Sequence, residues 1–298
     1  TLGLAVRAGS DRIWDPTCGD GSFLRQAIHR GHSPELLFGH DVDPAAVSAT
    51  RKSIPGARVE HADLFSLDPE QTGLFDAIAG NPPFVRVERM PSERRSELRR
   101  RTSEALGFAP PAQTDLSVLS LLHCLRFLAP GGRLAFVMPN TWMDADFSRP
   151  IRRWLLQHYS LRAVVESRCE PWFPQARVNT VIVVFEASSS TRQPTFARCL
   201  APASGVLAPG ILGDAPAEPE SLQLRHAPAA DERRSTLLRA PDLWFEVHER
   251  AAGRLVPLGD PERPVLSKAY GTKVGISAFF SPRRTARFDL MGVEPSFR

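Results

Sequence analysis

The 298-residue sequence has only four cysteines, Cys18, Cys124, Cys169 and Cys199, and none stands in a CxxC pair or beside a partnering histidine pattern. That excludes the usual zinc spacings and a disulfide framework, so no metal is expected, and it fits a reducing, cytoplasmic setting. No run approaches about 18 uninterrupted apolar residues, so neither a transmembrane helix nor a membrane partner is expected. GxGxxG is missing after the first strand-like segment, and no Gly-Lys-Ser or Gly-Lys-Thr follows, which sets aside the common NAD and ATP loops. The opening TLGLAVRAGSDR has neither an initiator Met nor a signal-like apolar core, so the chain is expected to begin inside a longer protein.

What is present is an ordinary globular composition, with 42% hydrophobic and 23% charged residues, enough for a sizeable core. A formal charge of +4 permits a nucleic-acid partner without specifying one, because distribution matters more than total. Short apolar runs alternate with helix-length segments. Strands are expected over 12–16, 36–41, 57–63, 74–80 and 133–139 and in LRAVVES and VNTVIVVFE; helices are expected over 21–31, 43–53, 114–132 and 147–158. Such alternation predicts an α/β fold, a doubly wound and mostly parallel sheet. It fills residues 1–186. An Ala/Pro/Ser-rich linker with one short strand, TFARCL, is expected over 187–237, and a second domain begins at 238 and is cut short at 298.

The first strand runs into DPTCGDGSFL. Gly19 and Gly21 permit a tight turn, and the helix after them presents its N-terminus at the carboxyl end of the sheet, where open α/β sheets bind ligands. The second strand ends in Asp41 and Asp43, about twenty residues on, where a carboxylate can accept from both hydroxyls of a ribose. Asp43-Pro44 also reads as a helix cap, which leaves Asp41 for the sugar. Asp63 and Leu64 end the third strand, offering an acceptor for an exocyclic amine beside apolar walls for adenine. The three strand ends suit a nucleoside cofactor without phosphate, the shape of S-adenosylmethionine.

A fourth strand ends in GNPPF, residues 80–84. The Asn81 side-chain oxygen and the Pro82 carbonyl can accept the two hydrogens of an adenine amine, whose lone pair is otherwise delocalised into the ring. Pro82 and Pro83 fix these acceptors, because each proline locks its φ, and Phe84 offers a stacking face. Positioning then does much of the catalytic work.

DPTCGDGSFL, Asp41, Asp63 and NPPF, in this order, resemble the gamma class of adenine-N6 DNA methyltransferases, and the similarity continues through residue 186. The resemblance implies a site-specific, S-adenosylmethionine-dependent methyltransferase acting on a flipped adenine in double-stranded DNA, within a restriction-modification or phage-defence system whose other subunits are possible partners. It implies Asn81, Pro82, Pro83 and Phe84 as the catalytic motif, Asp15, Gly19 and Gly21 in the cofactor loop, Asp41 at the ribose, and Asp63 with Leu64 at the cofactor's adenine. Phe173 corresponds to a second aromatic against the target base, a place that Trp172 beside it could also take. Extruding a base costs a few kcal/mol and stacking on one aromatic returns ~1–3 kcal/mol, so two aromatics roughly offset the flip.

After NPPF, the stretch 85–111 sets seven arginines, all within 86–101, against four glutamates. Arg86, Arg89, Arg94 and Arg95 are candidate phosphate contacts; the plainer reading is a solvated helix with Glu97 and Arg101 paired one turn apart. The C-terminal stretch with Lys268, Lys273, Phe279 and Phe280 is similar to the opening of that family's target-recognition domain. Two alternatives share the Asn-Pro-Pro logic or the fold: methylation of a glutamine amide in a release factor or of an RNA base, and a catalytically incomplete DNA-binding subunit.

Overall fold

Ile13, Trp14 and Asp15 are almost wholly buried, because the strand they form is paired on both edges, to the second strand and to the fourth. The computed structural model describes residues 1–143, 145–169, 172, 179–188, 193–202, 211–212, 221–226 and 238. The chain divides into two compact units, Thr1–Arg239 and Ala240–Arg298, and the second lies outside the described residues.

In the first unit the elements are α1 (Leu2–Ala5), β1 (Ile13–Asp15), α2 (Ser22–His29), β2 (Leu37–Asp41), α3 (Pro44–Ser53), β3 (Arg58–His61), α4 (Pro69–Thr72) and β4 (Phe75–Gly80). Then come α5 (Ser92–Leu106), α6 (Leu116–Leu125), β5 (Leu128–Pro139), α7 (Arg149–His158), β6 (Ser160–Ser167), β7 (Thr180–Glu186), β8 (Thr195–Cys199) and β9 (Leu222–His226). The sheet order is β3-β2-β1-β4-β5-β7-β6-β8-β9. From β3 to β5 every pairing is parallel, whereas β7 runs antiparallel between β5 and β6. The fold is the α/β, mostly parallel class expected. Strand order reverses between β1 and β4, and that switch point opens a crevice at their carboxyl ends.

Packing explains why the sheet closes here. Trp14 stacks on Phe75 with ring centroids 5.0 Å apart and meets Phe127 at 4.6 Å, and its indole N–H donates to His40 Nδ1 at 2.9 Å. All three aromatic residues are fully buried, and removing a ring of this kind costs ~3–5 kcal/mol.

Two boundaries differ from the sequence reading, and the Arg-rich stretch takes the plainer of its two readings, a helix. The helix expected over 114–132 stops at Leu125. Phe127 must turn into the core, its carbonyl accepts the Phe75 N–H at 2.8 Å, and Leu128 already pairs with Phe75. The Pro-Gly-Gly expected to stop the helix therefore lies inside β5. The sheet also continues into the stretch read as linker: β8 pairs with β6, and β9 with β8, so the first unit extends to Arg239. The short strand expected in TFARCL is β8, and its buried Phe196 and Ala197, with Leu222 of the unexpected β9, cover the sheet edge. The Arg-rich connection, finally, folds as the fifteen-residue α5, built from straight-chain residues of good helix propensity and closed by Gly107 at φ +61°.

Candidate active site

The Gly-rich turn after β1 is pinned from two sides. The Gly19 N–H donates to Asp41 Oδ2 at 2.8 Å, and Thr50 Oγ1 of α3 donates to the Gly19 carbonyl at 2.9 Å. Gly21 starts α2 at φ +81°, and a Cβ there would stand 2.7 Å from Thr50 Cγ2, so only glycine fits the turn. Asp43 caps α3 by accepting the Ala45 N–H at 2.9 Å, with Pro44 at the first helical position. Asp41 Oδ1 accepts the Asp43 N–H at 2.9 Å. Each Asp41 oxygen therefore carries one backbone donor and keeps a lone pair for a ligand.

A cavity of about 420 Å³ opens beside this turn, walled by Thr17, Asp41, Asp63, Leu64, Asn81 and Arg94 among others. It thus gathers residues from the ends of β2 and β4, the segment after β3, and α5. Asn81 Oδ1 is buried without a hydrogen-bond partner among the described residues, and so is Asp15 Oδ2 at the end of β1. Leaving such acceptors unpaired costs free energy unless something else occupies them. Burial pushes the Asp15 carboxyl up to about 8, with the Thr17 N–H opposing and the charges of Asp41 and Asp20 reinforcing the rise. Gly80 gives this carboxyl room, since a Cβ there would meet Asp15 Oδ1 at 3.0 Å.

Asp63 caps the short turn after β3, its Oδ1 accepting the Phe65 N–H at 3.1 Å. Its other oxygen is taken by the Arg94 guanidinium. Leu64 and Phe65 are buried beneath.

Beyond the Asn-Pro-Pro turn, half-buried Phe84 lines a second cavity of about 410 Å³ with Arg86, Asp115, Ser117, Pro139 and Thr141. Asp115 accepts the Val87 N–H at 2.9 Å, and burial holds its carboxyl above the usual carboxylate range. Phe173 lies outside the described residues, as do Lys268, Lys273, Phe279 and Phe280. Trp172 is half-buried and packs against the core.

The arginines divide into two groups. Arg86 and Arg89 are exposed and Arg95 is half-exposed. Arg94 binds Asp63 and Glu97, Arg99 donates to the Pro110 carbonyl at 3.0 Å, Arg100 pairs with Glu104 at 2.8 Å, and Arg101 pairs with Glu97 at 2.6 Å. The predicted pairing of Glu97 with Arg101 is present, and Arg94 lines the 420 Å³ cavity with its charge already matched. Sequence reasoning missed Thr50 as part of the site, and it read Arg94 as a candidate phosphate contact, whereas the guanidinium is engaged by Asp63 and Glu97. Thr50 sits in the interior of a helix, with nothing local to mark it. No membrane-length apolar helix and no metal-binding cluster occurs among the described residues.

Residues 55–173 match the model of the Eco57I restriction-modification methylase family. A Type II methyltransferase of Thermus thermophilus is 29% identical over 193 residues, covering 62% of this chain and 41% of the relative. A Type I restriction enzyme methylase subunit of Methanocaldococcus jannaschii is 26% identical, covering 56% of this chain and 31% of the relative. The chain spans less than half the length of these curated relatives. The type IIG restriction endonuclease BpuSI shares the fold, with TM-score 0.65 at 16% identity over 85% of this chain and 32% of that one. Over part of its length the chain is thus similar to a restriction-modification methylase family and to curated restriction-modification methyltransferases, and it shares its fold with BpuSI.

Proposed function

We propose that the protein transfers a methyl group from S-adenosylmethionine to the N6 amine of an adenine extruded from double-stranded DNA, as the methylating part of a restriction-modification or phage-defence system. Asn81 Oδ1 carries this reading: a buried acceptor without a partner among the described residues, in the wall of a cavity that also holds Asp41 and Asp63. An amine donor would satisfy it, and the rigid prolines that follow keep it aimed.

The residues present fit the cofactor. The cavity volume suits a nucleoside-sized ligand, Asp41 retains acceptor capacity for ribose hydroxyls, and Asp63 with Leu64 offers an acceptor and an apolar wall to a purine. Gly19 and Gly21 allow close backbone approach in the turn that leads from Asp15 to α2. S-adenosylmethionine supplies, when bound, a methyl group on a sulfonium centre, which is the hard part of the chemistry. The chain's task is placement. Asn81 Oδ1 and the Pro82 carbonyl hold the two amine hydrogens, directing the nitrogen lone pair out of conjugation with the ring. As positive charge builds on that nitrogen, the same two acceptors stabilise it without reorganising. Phe84 gives the extruded base a stacking surface worth ~1–3 kcal/mol, and Phe173 or Trp172 is the proposed second face. Arg86, Arg89 and Arg95 are the proposed phosphate contacts, and residues 238–298 the proposed start of a target-recognition region.

The test is methyl transfer from radiolabelled S-adenosylmethionine by the full-length parent, offered DNA, RNA and total protein in parallel. Label in DNA, recovered as N6-methyladenine after digestion, is expected. Label confined to protein or RNA overturns the reading.

A further inference from the structure

Arg94 occupies the first turn of α5, the end of a helix where a cation meets the positive end of the macrodipole. A residue placed against the local rule points to a role elsewhere. Its guanidinium reaches across to Asp63 with one arm and donates to Glu97 Oε2 at 3.1 Å with the other. Glu97 in turn holds Arg101 at 2.6 Å, and Arg101 donates to the Phe65 carbonyl at 3.3 Å. The chain of contacts fastens α5 twice to the Asp63–Ser66 turn. Both Arg94 and Asp63 also line the 420 Å³ cavity, with side chains 36% and 37% exposed, so a ligand there meets the pair directly.

The consequence falls on Asp63. Alone, a carboxylate at the edge of a cavity rotates and accepts from many directions. Here one oxygen is committed to the Phe65 N–H and the other to Arg94, which leaves a fixed pair of lone-pair directions. We propose that Arg94 is a positioning residue that sets purine specificity at this cavity, holding Asp63 as a directed acceptor for an exocyclic amine. The proposal rests on the cofactor reading above and names the discrimination that reading leaves open. A flat guanidinium that donates to Asp63 and Glu97 at once suits the task, and a lysine, a point charge on a flexible stem, reproduces it only in part.

The test measures equilibrium binding of two probes to the full chain: S-adenosylhomocysteine, and its analogue with hydrogen in place of the 6-amino group. Wild type should bind the amino compound about tenfold more tightly, the worth of one hydrogen bond to a charged acceptor. Arg94→Met keeps the apolar stem but loses the guanidinium, and should reduce that preference to about threefold or less, with Arg94→Lys in between. An unchanged preference in Arg94→Met overturns the proposal, even if both affinities fall together, since a uniform loss marks only a cavity wall. Should Arg94→Met not fold, an unchanged preference in Arg94→Lys overturns it instead. Wild type binding both probes without preference sinks this inference alone, whereas wild type binding neither sinks the cofactor reading as well.

Discussion

Gly19 donates its backbone N–H to Asp41 Oδ2 at 2.8 Å, tying the turn after the first strand to the end of the second. One carboxylate thus shapes the loop and faces the cavity. Asp41→Ala removes an acceptor from both the Gly19 and Asp43 N–H groups and any contact to a ribose. Cofactor affinity should fall by about tenfold or more, the loss of at least one charge-assisted hydrogen bond. Asp41→Asn should lie between, because its amide keeps one acceptor oxygen. Isothermal titration with S-adenosylhomocysteine measures both variants, and an unchanged dissociation constant for Asp41→Ala would refute the ribose assignment.

Substitution of Asn81 is expected to separate binding from chemistry. Its Oδ1 is buried and lacks a partner among the described residues, so nothing in the fold depends on it, and Asn81→Ala should leave stability close to that of wild type. Methyl transfer should drop by about 100-fold or more, as for other preorganised groups aimed at developing charge. Cofactor affinity should stay within about threefold, short of the one-hydrogen-bond step. Single-turnover rates alongside titration decide it, and turnover at the wild-type rate would place the amine acceptor elsewhere.

Much of this was legible before any coordinates, and the reason is local. Ile13–Asp15, Leu37–Asp41 and Phe75–Gly80 are short apolar runs that end at Asp, Gly or Pro, and in a parallel sheet such ends become the ligand-binding rim. Asp43-Pro44 announced its helix by capping chemistry that needs only neighbouring residues. What could not be read depends on distant partners. The end of α6 is set by Phe127 seeking Trp14, and the place of β7 between β5 and β6 is set by pairing across the sheet. Arg94 read as one of four candidate phosphate contacts, and only its contact with Asp63, distant in the chain, distinguishes it from the other three.

Asp15 gives the protein a signed pH dependence. Burial raises its carboxyl in the fold from the ordinary 3.8 to about 8. Between those values the native state holds a proton that the unfolded state has released, so stability falls as pH rises. The stabilisation is complete below about 4 and is lost progressively through about 8, at no more than ~1.4 kcal/mol per pH unit. Asp15→Asn is neutral at every pH and should flatten this slope, gaining on wild type as pH increases. Urea denaturation of both proteins across the window tests the point, and parallel curves would show that Asp15 is ionised in the fold.

The division among the arginines predicts which of them sense DNA. Arg100 and Arg101 are paired one turn along α5, with Glu104 and Glu97, whereas Arg86 and Arg89 are exposed near the Asn-Pro-Pro turn and Phe84. A phosphate contact releases condensed counterions, and each one lost lowers the slope of log affinity against log salt by about 0.9. Substituting Arg86 and Arg89 together by alanine in the full-length parent should therefore reduce that slope by up to about two and weaken binding to all sequences alike. Arg100→Ala should leave the slope unchanged, since it frees Glu104 without removing a contact. Fluorescence anisotropy over a salt series reads both variants. Equal slopes for wild type and the Arg86/Arg89 double variant would move the DNA path away from this edge of the sheet.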